Sequence, residues 1–151
     1  MGLIQNRVEA ARKGENPAVV CRVPSGWAVM GDVQVTPGYC LLLPDPVVPT
    51  LNDLDSGARA IFLRDMATLG DAVLEVTKAV RCNYEMLGNL EPELHCHVFP
   101  RYADEDESLR TRPIWFYDWD AAPSLDEAEH GAMRQRIAEA LQRRLGLPAA
   151  T

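Results

Sequence analysis

The sequence predicts one α+β domain, with an antiparallel sheet of about five strands, one long helix and a C-terminal helix. Three features carry that expectation. Short strand-like runs alternate with Pro- and Gly-marked turns through the first hundred residues. An apolar stripe of helical period runs through residues 56–80. A second helical pattern, with start and stop signals of its own, occupies residues 124–146.

In chain order, residues 3–13 carry Leu3, Ile4, Val8 and Ala11 at helical spacing, which predicts a short amphipathic helix ended by Gly14. Residues 18–23 (AVVCRV) read as a strand, and the Pro24-Ser25-Gly26 turn leads into a second strand over 27–30. A third strand is expected over 33–43, interrupted at Pro37-Gly38, with a tail of Tyr39-Cys40-Leu41-Leu42-Leu43 suited to burial on both faces. Pro44, Pro46 and Pro49 make the following stretch a loop. The main helix is expected over 56–80, where Phe62, Met66, Leu69, Val73, Val76 and Val80 form the stripe and Asp53, Asp55 or Ser56 is the cap. Residues 83–87 and 94–99 read as two more strands around a tight connection over 88–92. The acidic run 104–107 reads as a solvated loop ahead of the aromatic residues Trp115, Phe116, Tyr117 and Trp119, which suit a core or dimer contact better than base stacking. Ser124 and Glu127 have the spacing of a capping box, Met133, Ile137, Leu141 and Leu145 form a ridge, and Gly146 with Pro148 ends the helix. The domain is expected to fill residues 1–151, with its core over about 18–102 and the last helix in a C-terminal extension.

Bulk composition narrows the function. The 47% hydrophobic and 25% charged content is that of an ordinary globular chain. No apolar run approaches the roughly 20 residues of a membrane helix, and residues 1–17 lack the apolar segment of a secretory signal. No membrane partner and a cytoplasmic location are therefore expected. Cys21, Cys40, Cys82 and Cys96 then read as free thiols, and no C-x-x-C pair suggests a structural zinc site. A formal net charge of −7 disfavours a grip on nucleic acid. A small anionic ligand needs only a local set of donors and remains compatible.

Chemistry concentrates in one short segment. Residues two apart in a strand share a face, so Glu93, His95 and His97 are expected in a row, about 6.5–7 Å apart, while Leu94, Cys96 and Val98 face the core. Such a row suits a ligand with several oxygens in a line. An H-x-H pair can also be no more than a half-exposed polar face. The apolar opposite face and the Gly88-Asn89 turn just upstream favour the ligand-binding reading. Arg101, just after the strand, is a candidate for phosphate contact against the plainer reading of a surface charge. His130 reads as a solvated helix residue, and Cys96 points away from the ligand side.

The run Leu87-Gly88-Asn89-Leu90-Glu91-Pro92-Glu93-Leu94-His95-Cys96-His97-Val98-Phe99-Pro100-Arg101-Tyr102 resembles the signature of the histidine triad superfamily, His-φ-His-φ-His-φ-φ with φ apolar, often followed by Pro-Arg. The likeness extends over about residues 20–102 and takes in residues 32–44, which reach a Pro-Gly turn and continue as an apolar strand, and Asn52-Asp53-Leu54 before the long helix. Its Leu-Gly-Asn-x-x-Pro-x-Leu-His lead-in is similar to bacterial diadenosine polyphosphate hydrolases. One departure is plain, because Glu93 stands where the first histidine of the triad belongs.

The resemblance implies a nucleotidyl hydrolase or transferase acting on a dinucleoside polyphosphate or related nucleotide, with no cofactor or metal required and a homodimeric state. His95 would attack the α-phosphorus and form a covalent nucleotidyl-histidine, and His97 would hold or protonate oxygens at the scissile bond. Asn89 matches a position that contacts phosphate or sugar, and Asp32 is a candidate for the ribose hydroxyls. Glu93 would orient His95, position water or help expel a protonated leaving group. Two rivals use the same face: a cupin-like metal enzyme with Glu93, His95 and His97 as ligands, and a nucleotide-binding protein without turnover.

Overall fold

The computed structural model describes residues 1–149. The elements run α1 (Leu3–Arg12), β1 (Val19–Val23), β2 (Gly26–Met30), β3 (Cys40–Pro44), α2 (Ser56–Thr77), β4 (Arg81–Glu85), β5 (Cys96–Arg101) and α3 (Glu127–Leu145), with short 3-10 turns at Leu51–Asp53 and Ile114–Phe116. The five strands form one sheet in the order β1-β2-β3-β5-β4, and every neighbouring pair is antiparallel. The expected α+β architecture is the observed one.

Strand alternation divides the side chains between two faces. Cys21, Val23, Ala28, Met30, Cys40, Leu42, Cys96 and Val98 point one way and are buried against Phe62, Leu69, Val73, Ile137 and Leu141 of α2 and α3. This is the main core. On the other face, α1 covers the β2–β3 side, where Ile4 and Val8 pack on Val29 and Leu43. Tyr39, Phe99 and Ile114 form a third cluster farther across that same face. A gap remains between α1 and this third cluster.

Several boundaries differ from the sequence reading, each for a visible reason. The third strand is only Cys40–Pro44, because Gln34 is buried and staples the preceding loop. Its Nε2 donates to the carbonyls of Gly31 at 2.8 Å and Tyr39 at 3.0 Å, and its Oε1 accepts from Gly38 N at 2.9 Å. Gly38 itself has φ +95°, and a Cβ there would meet Thr77 Cγ2 at 2.7 Å. Helix α2 is capped by Asp55, which accepts from Ala58 N, and stops at Lys78 in the left-handed conformation, so Val80 lies outside it and is exposed. Ser124 and Glu127 do not form a capping box. Asp126 occupies the N-cap, and its own N–H is satisfied by His130 Nδ1 at 2.9 Å. His130 is therefore buried rather than solvated. Strand β5 begins at Cys96, later than expected, which bears directly on the site.

Candidate active site

Val48 holds the chain just before β5 by accepting from Leu94 N at 2.9 Å, so Glu93, Leu94 and His95 lead into the strand without belonging to it. His95 folds back on that lead-in. Its Nδ1 lies 2.7 Å from the Glu93 carbonyl oxygen. A carbonyl only accepts, so Nδ1 carries the proton and donates it, and Nε2 is left with a free lone pair. The ring is buried apart from a small exposed edge, with 7% relative exposure.

His97 stands on β5, opposite Leu41 of β3 and Glu85 of β4. Aromatic rings enclose it. Phe99 is stacked at 5.4 Å between centroids, Trp115 meets it edge-on at 5.4 Å, and the His95 ring is edge-on at 4.9 Å. Burial among these rings, and secondarily the nearby His95, lowers its pKa to about 4. His97 is thus neutral at pH 7. Its Nδ1 is 2.6 Å from the Tyr39 hydroxyl. Burial pushes the Tyr39 pKa upward, so the phenol keeps its proton. His97 Nδ1 is the only hydrogen-bond partner recorded for that buried hydroxyl among the described residues, so Tyr39 donates and the His97 proton sits on Nε2. The two imidazoles are therefore complementary, with a bare nitrogen on His95 and an N–H donor on His97.

Both rings open into a cavity of about 220 Å³ in the gap beside α1. Leu3, Ile4 and Arg7 of α1 form one wall, Val29, Leu41 and Leu43 the sheet floor, and Tyr39 and Trp119 the far side. Its charged lining residues are Arg7, Asp32 and Glu91. His95 also borders a second hollow of about 330 Å³, lined by Thr50, Asn52, Met86, Gly88 and Glu93. His95 is therefore a lining residue of both.

The expected row of three side chains is not observed. Glu93 lies off the strand and outside the first cavity, and its Oε1 is buried without a hydrogen-bond partner. It sits against Gly2 at the N-terminus of α1, where an added Cβ would fall on that oxygen. The carboxylate there faces the positive end of the helix dipole. Asp32 does line the first cavity but is held by Arg7, whose Nη1 donates to Oδ1 at 2.8 Å while Nη2 pairs with Oδ2. Asn89 is exposed and borders neither hollow. Arg101 is buried and bound to Glu105, to Asn83 Oδ1 at 2.8 Å and to the Leu109 carbonyl at 3.2 Å, so its role is to fix the loop after β5. That contact removes the Glu105 carboxylate from solvent, while Asp104, Asp106 and Glu107 are exposed as expected of the acidic loop.

Among the described residues, no three His, Cys, Asp or Glu side chains converge as a metal-binding group. Glu93, His95 and His97 therefore do not form the ligand set of the cupin-like alternative, Glu93 lying outside the cavity that the two histidines line. Sequence reasoning missed Tyr39 and Arg7. Both reach the site from distant parts of the chain, and the only prior signal was Tyr39 following the Pro-Gly turn of the resemblance.

No protein-family model and no curated protein matches the chain. Solved structures do. A histidine triad protein from Bradyrhizobium japonicum is 25% identical and superposes with a TM-score of 0.69, covering 89% of this chain and 95% of that one. A histidine triad protein from Marinobacter aquaeolei, 17% identical, superposes with a TM-score of 0.75 over 95% of this chain and 98% of that one. A hypothetical histidine triad nucleotide-binding protein from Sulfolobus tokodaii, 14% identical, gives 0.70 over 91% and 92%. The fold is that of the histidine triad proteins.

Proposed function

We propose that this chain is a nucleotide-binding hydrolase or transferase of the histidine triad type, with His95 Nε2 as the nucleophile. The observation that carries the reading is the hydrogen bond from His95 Nδ1 to the Glu93 carbonyl, which fixes the tautomer that has its lone pair on Nε2, beside His97 and a cavity. A sulfur nucleophile is disfavoured, because burial raises the Cys96 thiol pKa to about 12 and the side chain faces the main core.

In the first step the Nε2 lone pair attacks the α-phosphorus of a nucleoside 5′-phosphate derivative. The bond from phosphorus to the leaving atom breaks, and that atom keeps the electron pair and takes a proton from water. The imidazole now carries positive charge, which the Glu93 carbonyl stabilises through the retained Nδ1–H. His97 Nε2–H donates to a non-bridging phosphate oxygen. In the second step water, or another acceptor hydroxyl, attacks the same phosphorus and yields its proton to the hydroxide left by the first step; the Nε2–P bond breaks with its electron pair returning to Nε2, and the nucleotide leaves. Two moderate barriers replace one high one.

Glu93 lines the second hollow together with His95, which supports reading that hollow as the leaving-group side. The apolar first cavity, with its aromatic far wall, suits a nucleoside, and the structurally similar Sulfolobus tokodaii protein is described as nucleotide-binding.

The test is to mix the protein with diadenosine tetraphosphate or adenosine 5′-phosphoramidate, quench within milliseconds to seconds, and map adducts by mass spectrometry. Adenylylated His95 is expected, and His95→Ala should cut turnover by about a thousandfold or more. Full activity in His95→Ala overturns the mechanism. Tight nucleotide binding with neither adduct nor product assigns the chain to binding without turnover.

A further inference from the structure

We propose that Arg7 is a substrate-binding residue, which exchanges its Asp32 partner for an anionic oxygen of the bound ligand. The assignment rests on the reading of the cavity as a nucleotide site and adds a residue that the histidine motif does not contain.

Charge is the first argument. The chain holds 22 acidic and 15 basic residues, and Asp32 and Glu91 both line the cavity. Arg7 is the only arginine or lysine among its lining residues. His97, being neutral, supplies a hydrogen bond but no charge. A phosphate entering this space therefore meets one permanent cation. Without it, the nearby carboxylates repel the ligand.

The second argument is cost. The Arg7 and Asp32 side chains keep 36% and 52% of their surface exposed. An ion pair this open to water contributes little to stability, so releasing it to a better acceptor is cheap. The guanidinium is planar and already committed to a two-point grip on a carboxylate, which is the geometry that also fits two phosphate oxygens.

The third argument is placement. Helix α1 is fixed at three points, so Arg7 is presented and does not wander. Its N-terminus abuts Glu93, Ile4 and Val8 are buried against the sheet, and Arg12 pairs with Asp45 at its C-terminal end. Leu3 and Arg7, one turn apart, both face the cavity.

The experiment compares AMP with adenosine by isothermal titration calorimetry on the wild-type chain and on Arg7→Ala, Arg7→Lys and Asp32→Asn, with melting curves to verify folding. Arg7→Ala should weaken AMP about tenfold or more and leave adenosine unchanged. Arg7→Lys should recover part of the loss. Asp32→Asn, which removes the competing carboxylate, should hold or raise AMP affinity. If Arg7→Ala folds and leaves the AMP-to-adenosine ratio as in the wild type, the role assigned to Arg7 is wrong while the nucleotide reading stands. If the wild-type chain binds neither ligand, the nucleotide reading falls and takes this assignment with it.

Discussion

At the residue scale, each histidine is committed to one tautomer by one partner. His95 gives its Nδ1 proton to a main-chain carbonyl, and His97 receives a proton from Tyr39. The backbone partner of His95 cannot be mutated away, but the phenol can. Tyr39→Phe should lower kcat about ten- to a hundredfold with a smaller change in KM, because it frees the His97 ring to adopt the wrong tautomer. Steady-state kinetics and the His97 ring resonances in NMR would check both halves of that statement. The low pKa of His97 carries a signed consequence for stability. Between its ordinary value near 6.5 and about 4, the unfolded chain binds a proton that the folded chain refuses. The stabilising contribution is complete above about pH 6.5 and is lost as pH falls toward 4, on the order of 3 kcal/mol in total. Denaturant midpoints of the wild-type chain and His97→Asn, followed from pH 7 to 4, should converge over that window. Spacing singled out His95 and His97 as a pair on one face, and the resemblance to the histidine triad signature suggested their roles. Their partners were not legible, because Tyr39 lies 58 positions away and meets His97 only across the β3–β5 pairing.

Elements decide which of the flanking residues joins the histidines. The expectation of three side chains in a row assumed that the strand runs back through Leu94. It begins instead at Cys96, because Leu94 N is engaged by Val48 and Pro92 supplies no donor for a ladder. One missing pair of strand residues sends Glu93 to α1 instead of to the cavity. Helix α1 was read correctly from the spacing of Ile4, Val8 and Ala11, but nothing in that pattern tells which sheet face it covers. Its C-terminal mooring is Asp45, which accepts from Arg12, from Arg22 Nη1 at 2.6 Å and from Trp27 Nε1 at 3.0 Å. Arg12 first, and then Trp27 and Arg22, hold this carboxyl well below the usual range. Asp45→Ala should therefore destabilise the fold by about 1–3 kcal/mol, since it leaves two guanidinium groups and an indole N–H without their acceptor. Chemical denaturation at pH 7 measures this. The loss should shrink in acid, because below the ordinary carboxylate pKa the unfolded wild-type chain takes up a proton that the folded carboxylate still refuses.

For the molecule as a whole, the division of labour between the two sheet faces is what makes a site possible. Helices α2 and α3 carry the main core on one face, and all four cysteines lie on that side of the strands. In the sequence, alternation assigned a core side only to Leu94, Cys96 and Val98, while the run 39–43 read as buried on both faces; the periodic stripes on the two long helices supplied the cover. The other face is covered in two separate pieces, by α1 and by the 114–119 segment, and their distance from one another is a tertiary fact with no local signal. Core and site should respond separately to mutation. Ile137 of α3 is fully buried on the far side of the sheet, so Ile137→Ala should cost about 2–5 kcal/mol in unfolding free energy. At a temperature well below its melting point, the same variant should keep the AMP affinity of the wild-type chain, as titration of the two proteins side by side would test.

His95 lines two hollows, and on the proposed chemistry that arrangement implies a traffic order. A fragment expelled on the Glu93 side need not pass the nucleoside held on the α1 side. The vacated space then admits water, or a different alcohol or amine, while the covalent half stays in place. Such a layout favours ping-pong kinetics, and partitioning between water and an added acceptor is then governed by the shape of the smaller chamber around Thr50, Asn52 and Glu93.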